Sequence, residues 1–200
     1  MQTFEKNFWT FLVTTPLPLS IYYGLTLNIG YLPGSTIFNN AILGVVDIPG
    51  ELAIILLMEK KYFGRRFSQC IFLTSAGLAC LISTILLEQN SETFKTLGQI
   101  FALIGKFFVA GSFQNILQYA SEIYSSDVRP FGFAFCSFMG RVGGILCPFI
   151  VRLGSEVAGF WPGLIFGLFG VVAGILCYLL PETLGKPMFI TVEEMKGAYR

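Results

Sequence analysis

Long apolar runs alternate with short polar connectors from one end of this chain to the other. A hydrocarbon core of ~30 Å is crossed by an α-helix rising ~1.5 Å per residue, so about 20 apolar residues make a span. Runs of that length fall at about 8–29, 37–58, 67–87, 98–119, 132–151 and 161–180. The connectors YLPGST, EKKYFGRR, EQNSETFK, SEIYSSDVRPF and RLGSEVAGF are long enough only to join antiparallel neighbours. The pattern predicts an all-α membrane domain over 1–181 with six transmembrane helices and no soluble domain, followed by a polar tail over 182–200. The first run follows a single basic residue, Lys6, and lacks a small-residue cleavage site, so it reads as a span and not as a removable signal peptide.

Composition agrees with the pattern: 54% hydrophobic and 12% charged residues, with mean hydropathy +0.70, leave too little polar surface to coat a globule. A net charge of +1 and a pI near 7.6 lack the concentrated basic face of a nucleic-acid binder, and no nucleic-acid partner is expected. There is no histidine, and Cys70, Cys80, Cys136, Cys147 and Cys177 lie in apolar runs without CxxC spacing. They read as small core residues, so neither a metal site nor a disulfide framework is predicted. No nucleophile with its base is present, no GxxxxGK[ST] loop is found, and neither an enzyme nor a cofactor is expected.

Basic residues near span ends favour the cytoplasmic side. With the amino terminus inside, Lys6, Lys60, Lys61, Arg65, Arg66, Arg129, Lys186, Lys196 and Arg200 are cytoplasmic, against Lys95 and Arg152 outside. Both termini are then cytoplasmic. The other two basic residues, Lys106 and Arg141, lie within spans, as do Asp47 and Glu51. Ionisable groups within hydrocarbon are expensive and face water or a partner, so these four are the chain's functional signal.

Helical spacing groups them with other polar and aromatic positions. Asn40, Asp47 and Glu51 share a face of the second span. Lys106, Ala110, Phe113 and Leu117 form a stripe on the fourth with Gln114 beside it, and Ala134, Ser137, Arg141 and Pro148 line one side of the fifth. On the first, Thr15, Pro18, Tyr22 and Thr26 recur, with Tyr23 adjacent. Such stripes suit helices around a water-accessible cavity. The plainer reading is structural: ion pairs such as Asp47 with Arg141 tying the bundle together, Glu51 near the cytoplasmic end doing the same, and tyrosines that pack. The glycines of GRVGG and GLIFGLFGVVAG read as close helix packing and not as a phosphate loop.

FGRR after the second span, ASEIYSSDVRPFG after the fourth, GRVGGILCPF in the fifth and PETLGKPM after the sixth together carry a resemblance. With YYGLTLN, DIPGE and GKFFVAGSFQN, the chain resembles the carboxy-terminal half of a major facilitator superfamily transporter, and more narrowly the organic cation/anion transporter family. Sugar porters share GRR and PETxG, but their Gln-Gln pair and Gly-Pro-rich tenth helix are not here. The resemblance implies half of a twelve-helix major facilitator fold. It places Tyr22, Tyr23, Asp47 and Gln114 at pocket positions, and Arg141 where the cation branch carries an acid and the anion branch a base. Ser125, Pro130 and Lys61 depart from the family pattern in the cytoplasmic loops.

The expected function is transport of small organic ions by alternating access, without ATP, in a plasma membrane carrier of which this chain is one half, a fragment whose amino-terminal six-helix half or a partner chain is missing. The alternative is a non-transporting half that associates with and regulates a full-length relative, with a sugar-porter-like carrier further behind. The expected substrate-binding set is Tyr22, Tyr23, Asp47, Lys106, Phe113, Gln114 and Arg141, and the expected gating set is Arg65, Arg66, Glu122, Arg129 and Glu182.

Overall fold

A computed structural model of the chain describes residues 16–28, 35–60, 64–89, 91–123, 126, 129–157, 160–180 and 182–184. These residues form α1 (Pro16–Asn28), α2 (Thr36–Met58), α3 (Gly64–Leu87), α4 (Glu92–Ile123), α5 (Arg129–Val157) and α6 (Trp161–Cys177). Among the described residues α2 to α5 are long and apolar enough to cross a membrane, and α6 is a shorter apolar helix. The first expected span is described only over Pro16–Asn28, and all but the start of the polar tail lies outside the described residues.

Helices run beyond the apolar runs because the backbone ladder continues where hydrophobicity stops. The α4 helix begins at Glu92 and ends at Ile123, taking in polar residues on both sides of 98–119. Glu92 lies in its first turn, where an acidic side chain complements the helix dipole, and pairs with Lys95 at 3.2 Å. The α5 helix starts at Arg129–Pro130, proline being tolerated in a first turn whose N–H groups lack helical partners. Pro49 and Pro148 lie inside α2 and α5, where neighbouring helices of a membrane bundle accommodate the lost backbone bond.

The helices pack as a four-membered ring, α1–α4–α3–α6, with α2 laid on α4 and α5 laid on α1. Exchanging α1 with α4, α2 with α5 and α3 with α6 maps the α2–α4 contact onto the α5–α1 contact, the kind of internal repeat on which transporter halves are built. At the α3–α6 seam Gly77 meets Gly170 so closely that a Cβ on Gly77 would lie 2.6 Å from the Val171 nitrogen. Lipid offers no hydrophobic drive for helix association, so such backbone approach supplies dispersion contact instead. The glycines of GLIFGLFGVVAG thus lie against α3. Apolar side chains face outward on the flanking helices, including Ile48, Leu52 and Leu56 on α2 and Ile145, Leu146 and Phe149 on α5. A water-soluble surface would not carry that pattern; a lipid-facing one does.

Candidate functional site

The α1–α4 side of the ring, flanked by α2 and α5, holds most of the candidate residues. Lys106 of α4 is 1% exposed, and its ammonium has three neighbours. Asp47 Oδ1 of α2 lies 3.3 Å away, Thr26 Oγ1 of α1 accepts a hydrogen bond at 2.9 Å, and the Tyr22 ring centroid is at 3.3 Å. Asp47 Oδ2 accepts the Tyr22 hydroxyl at 2.8 Å, whereas Oδ1 faces the ammonium without hydrogen-bond alignment. Thr26 in turn donates to the Tyr22 carbonyl at 2.7 Å. Three helices are thereby tied at one point. A lysine stripped of water is held only because a carboxylate, a hydroxyl and a ring face replace its hydration.

Phe113, two turns along α4 from Lys106, packs on Tyr22 at 4.8 Å between centroids, and Tyr23 stands edge-on to both rings, at 5.6 Å from Tyr22 and 6.4 Å from Phe113. Tyr23 is partly exposed and leads toward α5, where a Cβ on Gly144 would touch its ring at 3.1 Å. Gly140 of α5 lies against Leu19 of α1. Arg141 follows it directly, and its side chain is exposed. The carboxylate of Asp47 is therefore matched by Lys106 and not by Arg141. Glu51, one turn beyond Asp47, is exposed as well. Among the described residues neither Arg141 nor Glu51 makes an ion pair or hydrogen bond. Gln114 is half-buried, and Asn40 is exposed on α2.

A second cluster gathers at the end of the bundle where α3 begins and α4 and α6 finish. The Arg65 side chain is ion-paired through Nε with Glu122. Glu182 accepts the backbone N–H of Arg65 at 2.9 Å and of Arg66 at 3.2 Å, so it caps the first turn of α3 from beyond the end of α6. Thr183 donates to Glu122 at 2.9 Å, and Arg66 donates to the Leu180 carbonyl at 3.3 Å while lying over the Tyr178 ring. Gly64 takes φ +62°, and a Cβ there would meet the Glu182 carboxylate carbon at 2.6 Å. Only glycine serves both demands. Of the expected gating set, Arg65, Arg66, Glu122 and Glu182 are thus joined in one network; Arg129 opens α5.

Three residues outside the expected sets connect α3 with α4. Gln69 donates to Ser112 at 2.7 Å, and Asn115 donates to Gln69 at 2.9 Å and to the Arg65 carbonyl at 3.1 Å. All three are fully buried. Their signal in the sequence is only that polar side chains interrupt otherwise apolar spans, as in GSFQN.

Long apolar helices around a buried ion pair, with Arg141 and Glu51 unpaired among the described residues, fit a polytopic helical membrane protein. The chain belongs to the sugar (and other) transporter family, whose model matches residues 10–195. Among curated relatives it is 39% identical over 177 residues to solute carrier family 22 member 15-like of Xenopus laevis, a match covering 88% of this chain and 36% of that protein. It is 33% identical over 175 residues to human solute carrier family 22 member 13 (88% and 30% covered), and 34% identical over 174 residues to member 6 of Danio rerio (87% and 30%). The chain therefore spans about a third of the length of the curated relatives it matches. These relatives accord with the motif resemblance to the organic cation/anion transporters.

Proposed function

We propose that this chain is the carboxy-terminal half of a carrier that moves small organic ions across the plasma membrane by alternating access, with its termini on the cytoplasmic side. The observation that carries the reading is the charge arrangement: Asp47 and Lys106 neutralise each other in the bundle, leaving Arg141 exposed on α5, the helix whose Gly144 lies against Tyr23. An uncompensated guanidinium in a span requires water, substrate or a second protein segment opposite it. Substrate between two six-helix halves satisfies that need, and rocking of the halves about a midplane site exposes it to each side in turn. The missing half is the expected partner, and Arg141 the expected reader of substrate charge, since guanidinium grips a carboxylate bidentately.

The test is Arg141→Asp in the complete carrier, assayed with one organic anion and one organic cation. Loss of anion uptake with retained or gained cation uptake supports charge selection. Equal loss of both, with misfolded protein, makes Arg141 structural and sinks the reading.

A further inference from the structure

The glycine seam between α3 and α6 fixes a register. Leu81 lies against Gly167, Gly77 against Gly170 and Thr74 against Gly174, so each step of three or four residues back along α3 meets a step of three or four forward along α6. Nearer the start of α3, Arg66 donates to the Leu180 carbonyl at 3.3 Å and lies over the Tyr178 ring. Between the Thr74–Gly174 and Arg66–Leu180 contacts there is room for one more step, and it falls on Cys70 of α3 and on Cys177, the last residue of α6. Backbone contact persists there, since a Cβ on Gly174 would lie 3.2 Å from the Cys70 carbonyl oxygen. Both cysteines are free thiols; Cys177 is 1% exposed, in a core cluster against which the half-buried Cys70 packs.

We infer that Cys70 and Cys177 form a dithiol modification site, which hydrogen peroxide converts to a disulfide strapping the start of α3 to the end of α6. Cα atoms stand about 2.3 Å off a helix axis and packed helices lie about 8–10 Å apart, so facing residues have Cα atoms roughly 4–5 Å apart, and a disulfide spans about 4.4–6.8 Å. Cys70, the less buried of the two, reacts first: its sulfur attacks one peroxide oxygen, the O–O bond breaks, and a sulfenic acid and one water result. The Cys177 sulfur then attacks the Cys70 sulfur, the S–O bond breaks, and the hydroxyl leaves with the Cys177 proton as a second water. Two thiols and one peroxide thus give one disulfide and two waters. The bond lies one turn from Arg66, so the oxidised form clamps the end of the bundle at which Glu182 caps α3. Cysteine spacing along the chain carries no sign of the pair, because the register of α3 on α6 creates it. Nor does the pair depend on what the carrier moves.

The test treats the complete carrier in membrane vesicles with hydrogen peroxide and digests it without reduction. Mass spectrometry should find the Cys70 and Cys177 peptides joined, two hydrogens lighter than the separate thiol peptides, and separated again by dithiothreitol. Cys177→Ser should abolish the joined peptide and leave Cys70 open to dimedone, which captures a sulfenic acid that has no second thiol to consume it. Thermal unfolding of the oxidised protein should have a midpoint higher by about 5 °C or more than that of the reduced protein, since the bond closes a long loop. Cys70→Ser should show no such rise on peroxide treatment, which separates the effect of this bond from that of any other oxidation. Failure of folded wild-type protein to yield the Cys70–Cys177 peptide, a bond from either cysteine to a different one, or a bond that forms without raising the midpoint overturns the inference.

Discussion

The Lys106 ammonium, 1% exposed, has exchanged water for a carboxylate, a hydroxyl and a ring face, and each replacement comes from a different position on α1 or α2. Removing one partner is therefore worse than removing both. Asp47→Asn leaves a buried cation without its counter-charge and is expected to cost about 3–5 kcal/mol, whereas Asp47→Asn with Lys106→Met removes the charge and the need for it. A double-mutant cycle by unfolding in detergent checks this: the double variant should be markedly more stable than Asp47→Asn alone, and additive losses would deny the coupling. This pairing was not legible in the sequence. Spacing placed Asp47 on a face of α2 and Lys106 on a face of α4, but which cation meets which acid depends on how α2 lies on α4, and periodicity within one helix carries no information about that crossing. The aromatic neighbours were more legible, because Tyr22 and Tyr23 share an apolar segment with Thr26 at the spacing that brings Tyr22 and Thr26 to one face.

At the scale of the helices, the all-α membrane fold was legible from apolar run length, since a hydrocarbon core demands runs of about 20 residues. The ends of α4 were less visible, because Glu92, Lys95 and Glu122 are polar and yet helical, stabilised by dipole, by a local pair and by the Arg65 contact. Packing separates glycines that look alike in the sequence. Gly77 has the Gly170 backbone against it, whereas nothing lies within 4 Å of a Cβ placed on Gly44. Gly77→Val should force α3 and α6 apart and lower stability by roughly 1–3 kcal/mol. Gly44→Ala should be neutral or stabilising by up to about 1 kcal/mol, as alanine loses less backbone freedom on entering a helix. Thermal unfolding of the two variants side by side is the measurement, and equal destabilisation would contradict the seam.

For the whole molecule, the cluster of Arg65, Glu122, Glu182 and Thr183 ties α3 and α4 to the segment after α6 at one end of the bundle. If these contacts hold the cytoplasmic side of the complete carrier closed, Glu122→Gln weakens two of them at once and shifts the resting population toward the inward-facing state. Cysteine labelling from each face should then rise inside and fall outside; unchanged labelling of both faces counts against a gating role and leaves a purely structural cap. The membership of this cluster was partly legible, because GRR and PETLG lie at span ends and carry opposite charge. Its backbone component was not. That Glu182 binds N–H groups of Arg65 and Arg66 follows from helix termini meeting in space, which residue type alone does not disclose.

The buried chain from Ser112 through Gln69 and Asn115 to the Arg65 carbonyl has a mechanical meaning. A helix slipping by one residue along its neighbour advances about 1.5 Å, enough to pull such bonds apart in a medium with no water to replace them. The bonds act as a key in a keyway: α3 and α4 cannot slide past each other and must travel as one strut. Since α4 also carries Lys106 and Phe113, a shift of α4 at those side chains is expected to carry with it Arg65, whose carbonyl Asn115 holds.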